Sequence, residues 1–302
     1  MDVRQEDFMS EPASARTGVQ LVEAKPEHVS ELGRICYEAF KDIADQHGFP
    51  PDFPSAQFAR VVIGMLVGRP DFYSVAALVD GEPAGSNFLS LTDEVAGVGP
   101  ITVDCAFQGR EIGRKLMQAV IDYARGHNIQ RVRLLQDGFN MRSISLYGSL
   151  GFDTKHAVAY LRLAPAAQPD PSVRPVEPSD LDALDALCRR NYKSSRRNEL
   201  ASAIQAGFSP FTRQRDGRLT GYLIPGVFGH GVAETDADAV VIACQAARLV
   251  PSERAYCFCP LDQGSAFRAF LQAGCRTVKI MNLMVIGPYD QPQPVWMPSV
   301  LY

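Results

Sequence analysis

The sequence states one pattern twice. "VQLVEAKPEHVSELGRICYEAF" (19–40) returns as "VRPVEPSDLDALDALCRR" (173–190), a strand followed by a first helix in each. "DGEPAGSNF" (80–88) returns as "DGRLTGYLI" (216–224) with the same D-G-x-x-x-G spacing. "NMRSISLYGSLGF" (140–152) aligns without gaps on "QGSAFRAFLQAGC" (263–275). Three matches in one order indicate an internal duplication, which restricts the chain to two units of the same type.

The break between the copies is "LAPAAQPDPSV" (163–173), which has neither a helical nor a strand period and reads as an extended linker. Expected units are therefore a disordered tail at 1–16, a first domain at 17–163, a linker at 164–172 and a second domain at 173–302. Within the first, apolar runs predict strands near 18–23, 73–79, 84–91, 97–106, 130–136 and 153–162, with helices near 27–46, 55–67, 111–126 and 140–150. Asp80-Gly81 predicts a tight hairpin. The order implies a mixed α/β fold: two tandem domains, each with a central, mostly antiparallel twisted sheet flanked by helices.

At 302 residues, 46% hydrophobic and 21% charged, the chain has the composition of a soluble globular protein. A net charge of -4 with no basic stripe argues against nucleic acid and favours a small-molecule substrate. No signal-peptide core and no run of about 18 apolar residues is visible, so a cytoplasmic location without membrane attachment is expected. Seven cysteines, an odd number, fit a reducing compartment. Cys257 and Cys259 would share one strand face with no second pair to complete a zinc site, so no metal is expected.

"AFQGREIGRKLM" (106–117) carries the most chemistry. A polar turn with Gly109 and Gly113 ends the strand and opens a helix whose apolar face is Ile112, Leu116, Met117, Val120, Ile121 and Ala124. Free N–H groups and the positive end of the helix dipole, reinforced by Arg110 and Arg114, suit a phosphate or pyrophosphate. An ordinary strand-to-helix turn would read the same way on this stretch alone. Asn140, Ser143 and Tyr147, spaced i, i+3, i+7, share one face of a later helix.

Together, "VGPITVDCAFQGREIGRKLMQAVIDYA" and "NMRSISLYGSLGF" resemble the GNAT superfamily of acyl-CoA-dependent N-acetyltransferases over roughly residues 17–163. The family's signature is a strand, a Q/R-x-x-G-x-G/A turn, a helix, and an N-x-x-[AS]-x-x-[LF]-Y helix ending in G-F. The resemblance implies acetyl-CoA as cosubstrate, its pantetheine arm pairing with free backbone around Ile101 and Val103. It further implies a pyrophosphate held by Gln108, Gly109, Arg110, Glu111, Ile112, Gly113 and Arg114, and contacts from Asn140 and Ser143. Tyr147 would protonate the leaving thiolate, a role that suits a phenol with a pKa near 10. The acceptor would be a primary amine of a small molecule.

Two positions depart from the family pattern: Glu111 stands where its first motif glycine belongs, and Cys105 where a proline is common. A carboxylate about 4 Å from a phosphate costs on the order of 1 kcal/mol in water, and a non-glycine at positive φ about 1 kcal/mol more. A weakened cofactor site is therefore expected, and an acyl-CoA-binding sensor is the alternative to an enzyme. Asp104 is the first candidate for the base that deprotonates the amine, with Asp93, Glu94 and His47 as others. "HGFPPDFPS" (47–55) either selects a substrate or closes the core.

The second copy has Phe270 where Tyr147 stands and Gln263 where Asn140 stands. Its strand-to-helix passage, "FGHGVAETDADAVVIACQAARL" (228–249), has no glycine-rich loop, and Glu234, Asp236 and Asp238 occupy the helix start. It is expected to bind no CoA, and either to complete the acceptor pocket or to bury a face of the first domain. The tail "GPYDQPQPVWMPSVLY" (287–302) reads as an aromatic rim from Tyr289 and Trp296 or as an extended surface segment.

Overall fold

The computed structural model describes residues 18–302; the expected tail at 1–16 lies outside them. The first copy runs β1 (Gln20–Glu23), α1 (Val29–His47), α2 (Ala56–Val67), β2 (Phe72–Val79), β3 (Glu82–Ser90), β4 (Ala96–Val98), β5 (Thr102–Val103), α3 (Ile112–Gly126), β6 (Val132–Asp137), α4 (Met141–Ser149) and β7 (Asp153–Arg162). The second runs β8 (Val173–Pro175), α5 (Leu181–Tyr192), α6 (Arg197–Gln205), β9 (Phe211–Arg215), β10 (Arg218–Leu223), β11 (Gly231–Ala233), α7 (Asp236–Leu249), β12 (Tyr256–Pro260), α8 (Gly264–Gln272) and β13 (Arg276–Ile286), and the tail adds β14 (Trp296–Met297).

The repeated sequences repeat their local physics. Pro26 and Pro178 each open a 3-10 turn before α1 and α5, closed by a side chain reaching back to the residue before the proline: Lys25 N–H donates to His28 Nδ1 at 3.2 Å and Glu177 N–H to Asp180 at 2.8 Å. Asp80-Gly81 and Asp216-Gly217 both take positive φ at the tips of the β2–β3 and β9–β10 hairpins. Ladders are antiparallel except where β4 meets β6. Helices α3 and α7 cover one side of the sheets with Leu116, Met117, Val120, Ile242 and Ala243, whereas α1 packs on the other with Leu32 and Ile35.

The two sheets are not independent. β6 of the first copy pairs with β13 of the second, from Asp137↔Met281 to Val132↔Ile286, and β12 pairs with β7, from Pro260↔Val158 to Tyr256↔Arg162. β13 and β7 lie side by side between them, so each copy hands its last strand to the other. The linker leaves from the end of β7, inside the shared sheet, and does not divide two closed sheets. Hairpin residues fasten the exchange: Asp93 accepts from the first N–H groups of α6, at Asn198 and Glu199 (both 3.0 Å), and Glu94 pairs with Arg189 at 2.7 Å.

Two expectations change. The predicted strand at 97–106 is broken after Val98, with β4 between β3 and β6 and β5 on β3 alone, because Gly99-Pro100 interrupts the ladder. Trp296 is no rim: it is 1% exposed and belongs to β14, which pairs with β11 at Val232↔Trp296.

The second copy also encloses a charged network. Glu199 accepts from Arg196 at 2.9 and 2.5 Å and faces His230 Nδ1 at 3.3 Å, while His230 Nε2 meets the Tyr222 hydroxyl at 2.7 Å. Burial, reinforced by Arg196, pulls His230 down to about 4, so it folds neutral. Glu199, which burial alone would raise, is held at about 2 chiefly by Arg196.

Below the ordinary histidine pKa of about 6.5, the unfolded chain binds a proton that the folded chain refuses until about pH 4. Stability therefore falls on acidification across that window, by up to about 1.4 kcal/mol per pH unit. Urea unfolding of His230→Gln should lose this part of the slope; an unchanged slope would assign it elsewhere. The strand exchange predicts that residues 1–163 expressed alone, with β6 and β7 both lacking β13, aggregate or form a dimer that swaps β7. A stable monomer on size exclusion would contradict that.

Candidate functional site

In the first copy β4 stays with β6 only through Ala96↔Val132 and Gly97↔Arg133. Past that point β5 returns to β3, and no ladder joins β5 to the outer part of β6 among the described residues. The result is a gap with one free backbone edge at Ile101–Val103 and another along the end of β6. Ile101 and Val103 are half-buried at its lip.

The turn below the gap is built as the sequence suggested. Gly109 has φ +79 and Glu111 φ +61, the left-handed region, so the residue in the glycine position does carry backbone strain. The side chain of Glu111 is exposed and makes no capping bond, and the first helical bond runs from Lys115 N–H to Glu111 O. The N–H groups of Ile112, Gly113 and Arg114 meet no protein acceptor among the described residues. A Cβ at Gly113 would make only ordinary contacts, 3.6 Å from Leu146 and 3.8 Å from Val103, so close helix packing does not require glycine there.

Cations surround these amides. Arg110 stacks on Phe107, Arg114 donates to Ser149 Oγ at 3.0 Å, and Arg142, which the sequence reading passed over, donates to Gln108 Oε1 at 3.1 Å. Gln108 is thereby tied to α4. Unspent amides, a helix dipole and exposed guanidinium groups thus meet at one place, an arrangement suited to an anion.

Asn140 caps α4 by accepting from Ser143 N–H at 3.1 Å, and Ser143 Oγ accepts from Gln136 at 2.9 Å. Their first task is to fix the start of α4 against β6. Tyr147 is 7% exposed, packs beside Phe152, and its hydroxyl makes no hydrogen bond among the described residues. Burial pushes its pKa well up, and the Asp137 carboxylate adds to the shift.

The candidate bases fare differently. Asp104 accepts from Ala106 N–H at 2.8 Å and from Arg34 at 2.7 Å, which makes it a fastening for the turn and not a free base. Asp93 and Glu94 hold α5 and α6. His47 is exposed, with Nδ1 2.9 Å from Ile43 O and its ring 5.2 Å from Phe139. The sequence reading missed Asp137, at the outer end of β6, and its partner Lys279 on β13, 2.7 Å away. Strand exchange brings them together, and the alignment of the repeats carries no signal for it.

The second copy fills the equivalent gap with its own chain. β14 lies against β11, and the Gln263 side chain clamps it, accepting from Trp296 N–H at 3.0 Å and donating to Trp296 O at 2.7 Å. At the start of α7, Thr235 Oγ accepts from Asp238 N–H, and the buried Asp238 takes bonds from Thr220, Thr235 and Arg213. Phe270, fully buried, replaces Tyr147. Extended chain thus occupies in one copy the position that is open in the other.

Residues 32–152 match the model of the acetyltransferase (GNAT) family. The match lies wholly within the first copy, from α1 to the end of α4.

An uncharacterized N-acetyltransferase of Methanocaldococcus jannaschii is 31% identical over 119 residues, 37% of this chain. The chain spans about half the length of that curated relative, 53%. A candidate acetyltransferase from Pyrococcus horikoshii superposes with a TM-score of 0.76 at 16% identity, over 98% of this chain and 99% of its own. A tandem GNAT protein from the clavulanic acid biosynthesis pathway does so at 0.56 and 14%, over 90% and 100%. These likenesses show that the whole chain, second half included, has the fold of tandem GNAT proteins. Among the described residues no group of His, Cys, Asp or Glu is placed to hold a metal, and no helix is long and apolar enough to cross a membrane.

Glu111→Gly in the first copy relieves about 1 kcal/mol of backbone strain and removes a carboxylate worth about 1 kcal/mol against a phosphate. Denaturant midpoints should rise, and calorimetry should show acetyl-CoA binding tightened about fivefold. If neither moves, the strain and the charge at position 111 are both irrelevant to the cradle.

Proposed function

We propose that the protein moves an acetyl group from acetyl-CoA to a primary amine of a small molecule, by direct attack in a ternary complex. The observation that carries this reading is the open gap between β5 and β6. The second copy holds an extended peptide at the same place, clamped by the residue aligned with Asn140, which supports reading the first copy's gap as the seat of an extended pantetheine arm. At the foot of the gap, the free amides of α3 with Arg110, Arg114 and Arg142 would take the pyrophosphate.

Acetyl-CoA supplies an activated acyl carbon as a thioester. Ile101 and Val103 would align it by backbone pairing, and Asn140 and Ser143 would set the position of α4. Tyr147 keeps its proton at neutral pH because burial disfavours the phenolate, and its unpartnered hydroxyl is free to donate to the departing thiolate. Asp104 would serve indirectly, holding the turn through Arg34.

One observation favours a second reading. Glu111 places a strained residue and a negative charge in the cradle, which suits a protein that binds an acyl-CoA without turning it over. Titration with acetyl-CoA and CoA release with an amine panel separate the two: binding with release supports the transferase, and binding without release supports a sensor. No binding at millimolar concentration removes both. For the transferase, Tyr147→Phe should lower kcat about 100-fold or more while acetyl-CoA affinity stays within about twofold; equal losses in both would make Tyr147 a packing residue.

A further inference from the structure

Asp137 stands at the outer end of β6, on the opposite sheet face from Gln136, which bonds to Ser143 of α4. Its cross-strand partner is Met281, so Lys279, two residues away on β13, shares its face. Lys279 is 5% exposed in its side chain and lies 2.7 Å from Asp137 and 2.6 Å from Asp52, which descends from the loop between α1 and α2. One buried cation thus stands between two carboxylates, leaving the cluster one negative charge in excess.

Aromatic rings wall this cluster. Phe139 and Tyr160 lie 5.8 and 5.9 Å from the Lys279 nitrogen, and Phe49 stacks on Phe139 at 4.4 Å. Phe49 and Phe139 are only half-buried, so the stack is reachable from solvent. The unpartnered Tyr147 hydroxyl, on a side chain more than nine-tenths buried, senses the charge of Asp137. Tyr147 packs with the α3 core, whereas Asp137 is tied through Lys279 to Asp52 of the loop between α1 and α2.

Resting on the transferase reading, we propose that Asp52, Asp137 and Lys279 form the acceptor end of the site. It takes a cationic primary amine on an aromatic or apolar body with no carboxylate beside the nitrogen, and Asp137 receives a proton from the ammonium. The excess negative charge attracts an ammonium and repels an amino acid's carboxylate, while the Phe49–Phe139 stack takes the apolar body. One ammonium proton goes to Asp137. The neutral nitrogen then forms the N–C bond as the C–S bond breaks, Tyr147 protonates the thiolate, and the second nitrogen proton restores Tyr147. Asp137 later returns its proton to solvent.

Lys279 is a positioning residue. Burial raises the pKa of Asp137, and Lys279 opposes that; Lys279 stays charged because Asp52 and Asp137 more than reverse the effect of its own burial. Tyr147 on α4, Tyr160 on β7 and Cys36 on α1 also lie near the cluster, and burial keeps all three protonated at neutral pH; His47 of α1 lies behind the wall, its ring 5.2 Å from Phe139. The second copy supplies this lysine, which gives it a part in the site without a cofactor of its own.

The test is calorimetric and kinetic. Phenethylamine and L-phenylalanine are titrated into the full-length protein, with and without saturating acetyl-CoA, and into Asp137→Asn, Asp52→Asn, Lys279→Met and Lys279→Arg whose melting curves remain cooperative. Expected results are phenethylamine at least tenfold tighter than L-phenylalanine and a loss of at least tenfold in Asp137→Asn. Where CoA release is seen, the acid limb of its pH profile should move up by a pH unit or more in Lys279→Met and return in Lys279→Arg. Equal affinity for the two probes, or Asp137→Asn within twofold of the parent, overturns the proposal. Failure of CoA release alone, with the amine still bound and the Asp137→Asn loss intact, overturns the transferase reading and leaves this binding site standing.

Discussion

The exchange of β7 and β13 is the constraint on which the rest of the molecule depends. A strand of sheet needs its backbone groups paired on both edges unless it lies at a protected border, and neither β6 nor β12 can meet that need from its own copy. Each borrows the last strand of the other. The central order β6-β13-β7-β12 follows, and with it a core in which Val158, Leu283, Phe258 and Leu184 from both copies pack as one cluster. Domain boundaries drawn along the chain therefore do not coincide with boundaries in space, and a residue near the end of the sequence such as Lys279 stands beside one at its middle.

This exchange also marks the limit of what was legible in the sequence. Elements fixed by local chemistry were readable: the Asp80-Gly81 hairpin, the apolar face of α3 from Ile112 to Ala124, and α4 from the pattern at 140–150. So was the kinship of the two copies, because three matching stretches recur in the same order. The partner of a final strand is not a local property. β13 and β7 have the same apolar pattern whether they close their own sheet or the neighbour's, so the sequence could not place Lys279 against Asp137. Asp104 illustrates the converse: its position beside the turn was legible, whereas the Arg34 guanidinium that holds it comes from α1, seventy positions earlier by the chain.

Trp296 was misread for a related reason. A segment rich in proline, with no strand period around it, looks like chain lying on a surface. Its burial comes from a vacancy that exists only in the folded second copy, where β11 and β12 part as β5 and β6 do in the first. Two residues suffice for β14 because Gln263 supplies the bonds a neighbouring strand would have made. Gly97 shows how closely the tail continues toward the first copy: a Cβ there would lie 1.9 Å from Leu301 O, so no larger residue fits without moving the tail.

The two copies thus solve one problem in opposite ways. A helix that begins at the foot of a parted sheet has free N–H groups that need a partner. In α7 the chain provides one, the Thr235 cap with Asp238 behind it, and Arg213 and Arg215 neutralise the buried carboxylate. In α3 the N-cap residue is Glu111, whose left-handed backbone goes with a side chain that makes no bond to those amides. Arg110, Arg114 and Arg142 then face a helix start that the chain leaves to water or to an anion from outside. The difference between a filled copy and an open one comes down to a few side chains at equivalent places, on a sheet that neither copy can complete alone.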